Sequence, residues 1–148
     1  MFNICYCDDF EYSEISQNIY SAFYVDINGI AFPDDKWTDF PIAILRMWSE
    51  SVISNVINKK SSVFNLIFID GPFSIECSNE QGQIQMRLIN NRKKRKIEHE
   101  FTISTNNLIQ SISQTTQSMI SIIDHRDYGE IIDIDELKNL NVILEKYM

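Results

Sequence analysis

Apolar residues, in runs and in alternation with polar ones, predict strands in the first third of the chain. Residues 2–7 form a short apolar segment, and residues 20–27 are rich in the aromatic and β-branched side chains that favour strands. Asn28-Gly29 follows at once and supplies the two residues with positive φ that a type I′ turn requires. Residues 30–32 are therefore predicted to return beside residues 20–27 as a hairpin.

Two further strands are predicted in the middle of the chain. Residues 63–69 are apolar on both alternating faces, which is typical of a central strand buried on both sides. The turn Asp70-Gly71-Pro72 separates this strand from a second one over residues 73–78. Residues 79–82 are then expected to turn the chain again.

The clearest predicted hairpin follows this turn. Only one register keeps both of its faces consistent, with apolar pairs on one side and an ion pair on the other. That register pairs Ile84 with Ile103, Met86 with Phe101, Leu88 with His99, and Arg87 with Glu100. It predicts an exposed tip at residues 92–95 and places His99 inward, as a core histidine.

Apolar residues spaced three and four apart predict a first helix that ends near Asn58. The segment Trp37-Thr38-Asp39-Phe40-Pro41 has the composition of a helix entry. Asp39 or Thr38 could cap free N–H groups, and Pro41 would lie in the first turn, where its missing donor costs nothing. The predicted buried stripe is Ile42, Leu45, Trp48, Val52 and Val56.

Two more helices are predicted in the last third of the chain. One covers residues 105–123 after the cap candidates Ser104 and Thr105, and the other begins at Asp133, where Glu136 completes an acidic capping box. The predicted stripes are Leu108, Ile109, Ile112, Thr116, Met119, Ile120 and Ile123 for the former, and Leu137, Leu140, Ile143, Leu144 and Tyr147 for the latter.

These elements predict one α+β domain over residues 1–148, with an antiparallel, meander-like sheet of five or six strands and about three helices packed on it. No linker or repeat divides the chain, and no apolar run is long enough for a membrane helix. The odd set Cys5, Cys7 and Cys77 does not suggest a disulfide framework. We therefore expect a soluble cytoplasmic protein.

The distribution of charge along the chain indicates which class of partner the protein would bind. Five of the 13 Lys and Arg residues are consecutive, at residues 92–96, so eight remain against 21 acids and the net charge is −8. Residues 1–35 contain no Lys or Arg, and residues 124–136 carry six acids against Arg126 alone. Such a surface repels nucleic acid and attracts basic proteins.

Residue types that carry catalysis or bind cofactors are sparse. The chain has two histidines, and His125-Arg126-Asp127 matches a kinase triplet without any other kinase motif. Cys5 and Cys7 lack zinc-site spacing, and no glycine belongs to a phosphate-binding loop. The sequence therefore predicts a non-catalytic protein with no cofactor and no metal.

The candidate partner-binding residues lie in the acid-rich segments. In residues 34–39, Trp37 could anchor a basic partner while the carboxylates steer its approach. The alternative is that Trp37 packs over the start of the helix and the acids only cap it. The predicted contact residues are Asp8, Asp9, Glu11, Asp34, Asp35, Trp37 and Asp39.

Two other segments offer different partners. The basic residues 92–96 could bind nucleic acid or act as a localisation signal, but a solvated tip, or contact with an acidic strip of a second subunit, also explains them. The helix 105–123 has no charge, and charge depletion is typical of interfaces, so a homodimer stays an alternative. Its predicted outer face is Gln110, Ser111, Ser113, Gln114, Gln117, Ser118 and Ser121.

Three segments carry a resemblance to a known class of protein. Residues 28–33 (NGIAFP), residues 37–48 (from WTDFP to Leu45 and Trp48) and residues 69–73 (IDGPF) resemble blocks in small bacterial proteins encoded beside polymorphic or contact-dependent toxins. The resemblance implies an immunity protein that binds and neutralises a cognate toxin domain, such as a basic nuclease. A self-associating scaffold protein is the alternative, and a small hydrolase is the third possibility.

Overall fold

The computed structural model describes all 148 residues and contains three helices and two antiparallel sheets, one of five strands and one of four. The predicted α+β class is confirmed. The prediction of a single sheet is wrong, because the first helix lies between the fifth and sixth strands and the sixth strand starts a second sheet.

The five-stranded sheet is built around one long central strand. Its strands are β1 (Phe2–Tyr6), β2 (Glu11–Ser13), β3 (Asn18–Ile27), β4 (Ile30–Phe32) and β5 (Thr38–Asp39). All four other strands pair with β3, and β1 and β4 flank it on opposite sides. The predicted β3–β4 hairpin is confirmed, with φ of 52° at Asn28 and 89° at Gly29.

The four-stranded sheet is a meander, as the sequence predicts. Its strands are β6 (Val63–Ile67), β7 (Phe73–Glu80), β8 (Gln83–Asn90) and β9 (Lys96–Ser104), paired in that order. The predicted β8–β9 register is confirmed at all four pairs, and the tip is exposed. His99 is exposed, so its predicted place in the core is wrong. It lies on the edge strand β9, where only Ile103 is buried.

Strand β6 is an edge strand, which corrects the prediction that residues 63–69 form a doubly buried central strand. Val63 and Ile67 are 61% and 44% exposed, while Phe64 between them is buried. Helix α1 (Pro41–Val52) covers the free edge: Trp48 Nε1 donates to the Ile67 carbonyl at 2.8 Å. The edge strand therefore has no open row of backbone groups at this point.

Helix α1 confirms its predicted stripe, since all five residues are buried. Phe40 occupies the N-cap position of α1, and no side chain makes a capping hydrogen bond there. The prediction that Asp39 or Thr38 caps the helix is therefore wrong. Pro41 does lie in the first turn. The helix continues into a π-helical segment, Ile53–Ile57, as far as the predicted end near Asn58.

Helix α2 (Thr105–Asp124) is capped by Ser104, whose Oγ accepts from the Asn107 N–H at 3.0 Å, as predicted. Helix α3 (Ile134–Glu145) lacks the predicted capping box. Asp133 has φ of 72° and its carboxylate instead lies 3.3 Å from Arg46 Nε, so it pairs with α1 rather than with its own helix. Two predicted core residues of this segment, Ile143 and Tyr147, are exposed.

One hydrophobic core cluster of 32 buried residues joins both sheets and all three helices. Phe23 and Phe68 both pack edge-on against Trp48, so an aromatic group stands where α1 meets the two sheets. None of the helices has the length and apolar character needed to cross a membrane.

Candidate partner-binding surface

One face of the five-stranded sheet is not covered by any helix. The buried positions of β3 alternate strictly with half-exposed ones along all ten residues of the strand. After Asn18 at the start of the strand, the half-exposed positions are Tyr20, Ala22, Tyr24 and Asp26. We define these four residues, with their cross-strand neighbours Asn3, Cys5, Glu11, Ala31 and Thr38, as the open face. It presents two tyrosines around a small residue, with carboxylates at both ends.

Tyr20 is held in place on the open face by a set of polar contacts. Its hydroxyl donates to Asp70 Oδ2 at 2.6 Å and lies 2.7 Å from Thr38 Oγ1, while its ring packs edge-on to Phe40. The hydrogen bond to Asp70 raises the pKa of the Tyr20 phenol, so the side chain stays a neutral donor. Glu11 lies directly opposite Tyr20 on β2.

Tyr24 is the second aromatic residue of the open face, and acids surround it. Its pKa is raised first by the charge of Cys5 opposite it, and further by partial burial and by the carboxylates of Asp35 and Asp26. Burial in turn raises the pKa of the Cys5 thiol. The charge of Asp35, from the segment 34–39 that the sequence singled out, thus acts on Tyr24 of β3.

Asp39 is not a surface residue, and this corrects the prediction that it contacts a partner. Its side chain is 0% exposed. Oδ2 accepts from Trp37 Nε1 at 3.0 Å and from the backbone N–H groups of Ile69 and Asp70 at 3.1 and 3.2 Å. Oδ1 accepts from the Phe40 N–H at 2.8 Å. Asp39 therefore joins the five-stranded sheet to the segment that follows β6.

Trp37 also has a structural position. Its ring packs edge-on to Phe73 at a centroid distance of 5.2 Å, and a Cβ at Gly71 would lie only 2.6 Å from its Cη2 atom. The half-buried indole thus covers the 71–73 turn, while its N–H is used by Asp39. This favours the packing alternative for Trp37, although the tryptophan covers the turn after β6 rather than the start of α1.

The remaining predicted acids are exposed. Asp34 accepts from the Lys36 N–H at 2.8 Å, which shapes the turn, and Asp35 makes no hydrogen bond or ion pair. Asp9 and Glu11 are likewise exposed. Of the seven predicted contact residues, five are thus exposed; Glu11 belongs to the open face, and the charge of Asp35 acts on Tyr24 of that face.

The two acid-rich segments of the sequence meet in space. Arg126 pairs with Asp8 at 3.5 Å, bonds its carbonyl and stacks over Phe10, and Tyr12 donates to the Glu130 carbonyl at 2.7 Å. Arg126 is the only cation in either segment. The segment 126–130 therefore packs against the residues just before and within β2.

Several residues of the predicted outer face of the uncharged helix α2 form hydrogen bonds with other elements of the fold. Ser113 is buried and donates to Asn141 of α3, which corrects its predicted exposure. Ser111 donates to the Phe2 carbonyl, and Ser118 bonds Tyr6 of β1. Because these polar contacts join α2 to its neighbours, the lack of charge has an explanation within the fold.

The basic tip is only partly neutralised. Arg95 pairs with Glu76 at 2.6 Å, and Arg92 stacks over the ring of Phe73 at 5.1 Å. Lys93, Lys94 and Lys96 form no ion pair. The tip thus stays a solvated cationic loop on the four-stranded sheet, whereas the open face belongs to the other sheet.

Sequence reasoning did not single out Tyr20, Tyr24 and Asp26 of the open face, or Asp70, which bonds Tyr20. A signal existed, because in residues 19–27 the positions 20, 22, 24 and 26 (Tyr, Ala, Tyr, Asp) alternate with Ile, Ser, Phe, Val and Ile, which is the period of a strand with one free face. Comparison of the chain with family models, curated proteins and solved structures gives no match. Function is therefore inferred from the surface itself and from the three resembling segments.

Proposed function

We propose that the chain is a non-catalytic binding protein that neutralises a basic bacterial toxin domain by covering it with the open face. The observation that supports this most is that two tyrosines, Tyr20 held by its bond to Asp70 and Tyr24 under the charge of nearby carboxylates, lie on one half-exposed face of the sheet. Tyrosine is enriched at the centre of protein interfaces because it combines contact area with a hydroxyl, at a low cost in side-chain entropy.

The charge around the tyrosines favours a basic partner. Asp26 and Asp35 lie near Tyr24, Asp70 bonds Tyr20, and Glu11 lies across from it. With a net charge of −8, the protein attracts cationic surfaces over distances longer than any contact. A toxin that cleaves nucleic acid needs a basic site for phosphate, and an acidic surface can cover that site and exclude its substrate.

The segments that resemble toxin-linked proteins contact each other. Asp39 and Trp37, from the second segment, bond and pack against Ile69, Asp70 and Gly71 of the third. These contacts connect the two sheets and place Asp70 beside Tyr20. The residues of the resembling segments therefore belong to the framework that connects the two sheets. In this proposal, the residues that contact the toxin come from the open face and from the exposed acids near it.

The first test is whether a basic toxin domain is encoded beside this protein, since its absence would favour the self-associating alternative. The second is protection of bacteria that express such a toxin domain. Asp35→Lys combined with Glu11→Lys should abolish protection, because both side chains are exposed, lie beside the tyrosines and make no hydrogen bond within the protein. Glu80→Lys with Asp135→Lys changes the net charge equally at exposed sites elsewhere and should protect fully. Full protection by the first pair, or its loss in the second, would contradict the proposal.

A further inference from the structure

Two adjoining cavities lie far from the open face, between the end of the π-helical segment and the start of α2. The larger has a volume of about 460 Å³, and its apolar wall is formed by Val56, Ile57, Ile109 and Tyr147. The smaller, of about 320 Å³, has polar walls, and Lys59 and Gly82 line both. The polar residues of the smaller cavity are Asn55, Ser61, Ser62, Asn79 and Gln81.

The two cavities together form an amphipathic groove with a single charge. Lys59 is the only charged side chain in either lining, and it makes no ion pair. In a protein with 21 acids and 13 bases, a groove lined by one cation and no carboxylate is locally positive, so it can attract an anion at short range although the net charge does not. Helix α2 begins at the same border, so its positive end adds to the field there.

The backbone that forms this groove is irregular on both sides of Lys59. The π-helical segment Ile53–Ile57 turns Asn55 into the polar cavity and Val56 into the apolar one. Lys59 itself has φ of 54°, in the left-handed region, at a helix end where glycine is the usual residue. Both π-helical turns and left-handed non-glycine residues concentrate at functional sites.

We propose that this groove binds a small amphipathic anion, with its carboxylate or phosphate beside Lys59 and its hydrocarbon part along Val56, Ile57 and Tyr147. The volumes fall in the range of roughly 300–1,000 Å³ that small-ligand sites occupy. The apolar wall contacts the hydrocarbon part of the ligand, and the polar cavity provides hydrogen-bonding groups for its head group. The charge of Lys59 favours an anionic head group. The inference is independent of the proposed toxin binding.

The test is an NMR titration of the ¹⁵N-labelled protein with decanoate below its micellar concentration. Shifts should saturate and centre on Val56, Ile57, Ile109 and Lys59. Decyl phosphate should bind at the same residues, whereas decyltrimethylammonium and decanol, which match the chain but not the charge, should bind at least about fivefold more weakly. Absence of saturable shifts, or equal affinity for the cationic and anionic probes, would overturn the proposal.

Variants locate the site and separate binding from folding. Lys59→Gly should weaken decanoate about fivefold while relieving the left-handed backbone, whereas Lys60→Ser, the adjacent exposed lysine, should leave affinity unchanged. Tyr147→Ala should also weaken binding, and Val142→Ala, which is similarly exposed but lies outside the groove, should not. Wild-type affinity in both Lys59→Gly and Tyr147→Ala would place the ligand elsewhere and refute the assignment.

Discussion

Replacing Asp39 by alanine should destabilise the protein strongly, because this carboxylate holds four donors inside the fold. Its Oδ2 accepts from Trp37 Nε1, Ile69 N and Asp70 N, and its Oδ1 from Phe40 N. A hydrogen bond to a charged group contributes about 1.5–3 kcal/mol, and donors left buried without a partner add to the loss. Since the donors are only partly buried, we expect a total loss of about 3–5 kcal/mol.

Asparagine at the same position provides a graded variant. Asp39→Asn keeps the shape and one good acceptor, which can take the place of Oδ2, but its amide group then faces the Phe40 N–H. The expected loss is about 1–3 kcal/mol. Trp37→Phe removes the indole donor that Asp39 accepts from. In the double variant Trp37→Phe with Asp39→Asn, the total loss of stability should therefore be smaller than the sum of the two single losses.

The assay for both substitutions is equilibrium urea unfolding, followed by tryptophan fluorescence and circular dichroism. The midpoint should fall in the order wild type, Asp39→Asn, Asp39→Ala, with the slope unchanged. Asp34→Ala serves as the matched control, since that carboxylate is exposed in the same segment and should cost less than about 1 kcal/mol. An Asp39→Ala loss no larger than that of Asp34→Ala would refute the role of Asp39 as a connector of the two sheets.

The other stability predictions use the same unfolding assay. Replacing Arg92 to Arg95 by serine should change the free energy of unfolding by less than about 1 kcal/mol, because the tip is exposed, and a larger loss would mean that the Glu76 ion pair is structural. Lys59→Gly should raise the free energy of unfolding by about 0.5–1 kcal/mol, because glycine adopts a left-handed φ without strain. A fall in the free energy of unfolding would show that the backbone at Lys59 is not strained. Glu136→Gln should raise the midpoint at pH 7, because a hydrogen bond to Glu50 and that neighbour's charge raise the pKa of Glu136, so its ionised form is disfavoured in the folded state. This gain should disappear as the pH falls through the raised pKa of Glu136, and a gain that persists at low pH would show another cause.

Local pattern was enough to predict the β8–β9 register and the stripe of α1. In both, each residue's position follows from neighbours within one hairpin or one helix, so the period alone decides which side is buried. His99 shows the limit of prediction from local pattern. Its register is right, but its burial depends on what covers the edge strand, and no short-range pattern contains that information.

Contacts between distant segments account for the other errors. Strand β6 has apolar residues on both faces, yet it lies at an edge, since only β7 pairs with it and Trp48 of α1 bonds the Ile67 carbonyl on its free side. Asp39 looked like a surface acid because the backbone groups that surround it come from residues thirty positions away. Likewise, Tyr20 of the open face bonds Asp70, which lies 50 positions further along the chain.

The most direct test of the proposed function is to pull down a partner from the native host and, if that partner is a basic toxin domain, to measure its rates of association with and dissociation from this protein. We predict that Asp35→Lys with Glu11→Lys slows association, as does raising the salt from about 0.05 to about 0.3 M, because screening shortens the reach of charge to below about 10 Å. Tyr24→Ala should instead speed dissociation, since it removes contact area and not charge. Association that is insensitive to salt, or equal slowing by Glu80→Lys with Asp135→Lys, would contradict binding through the open face.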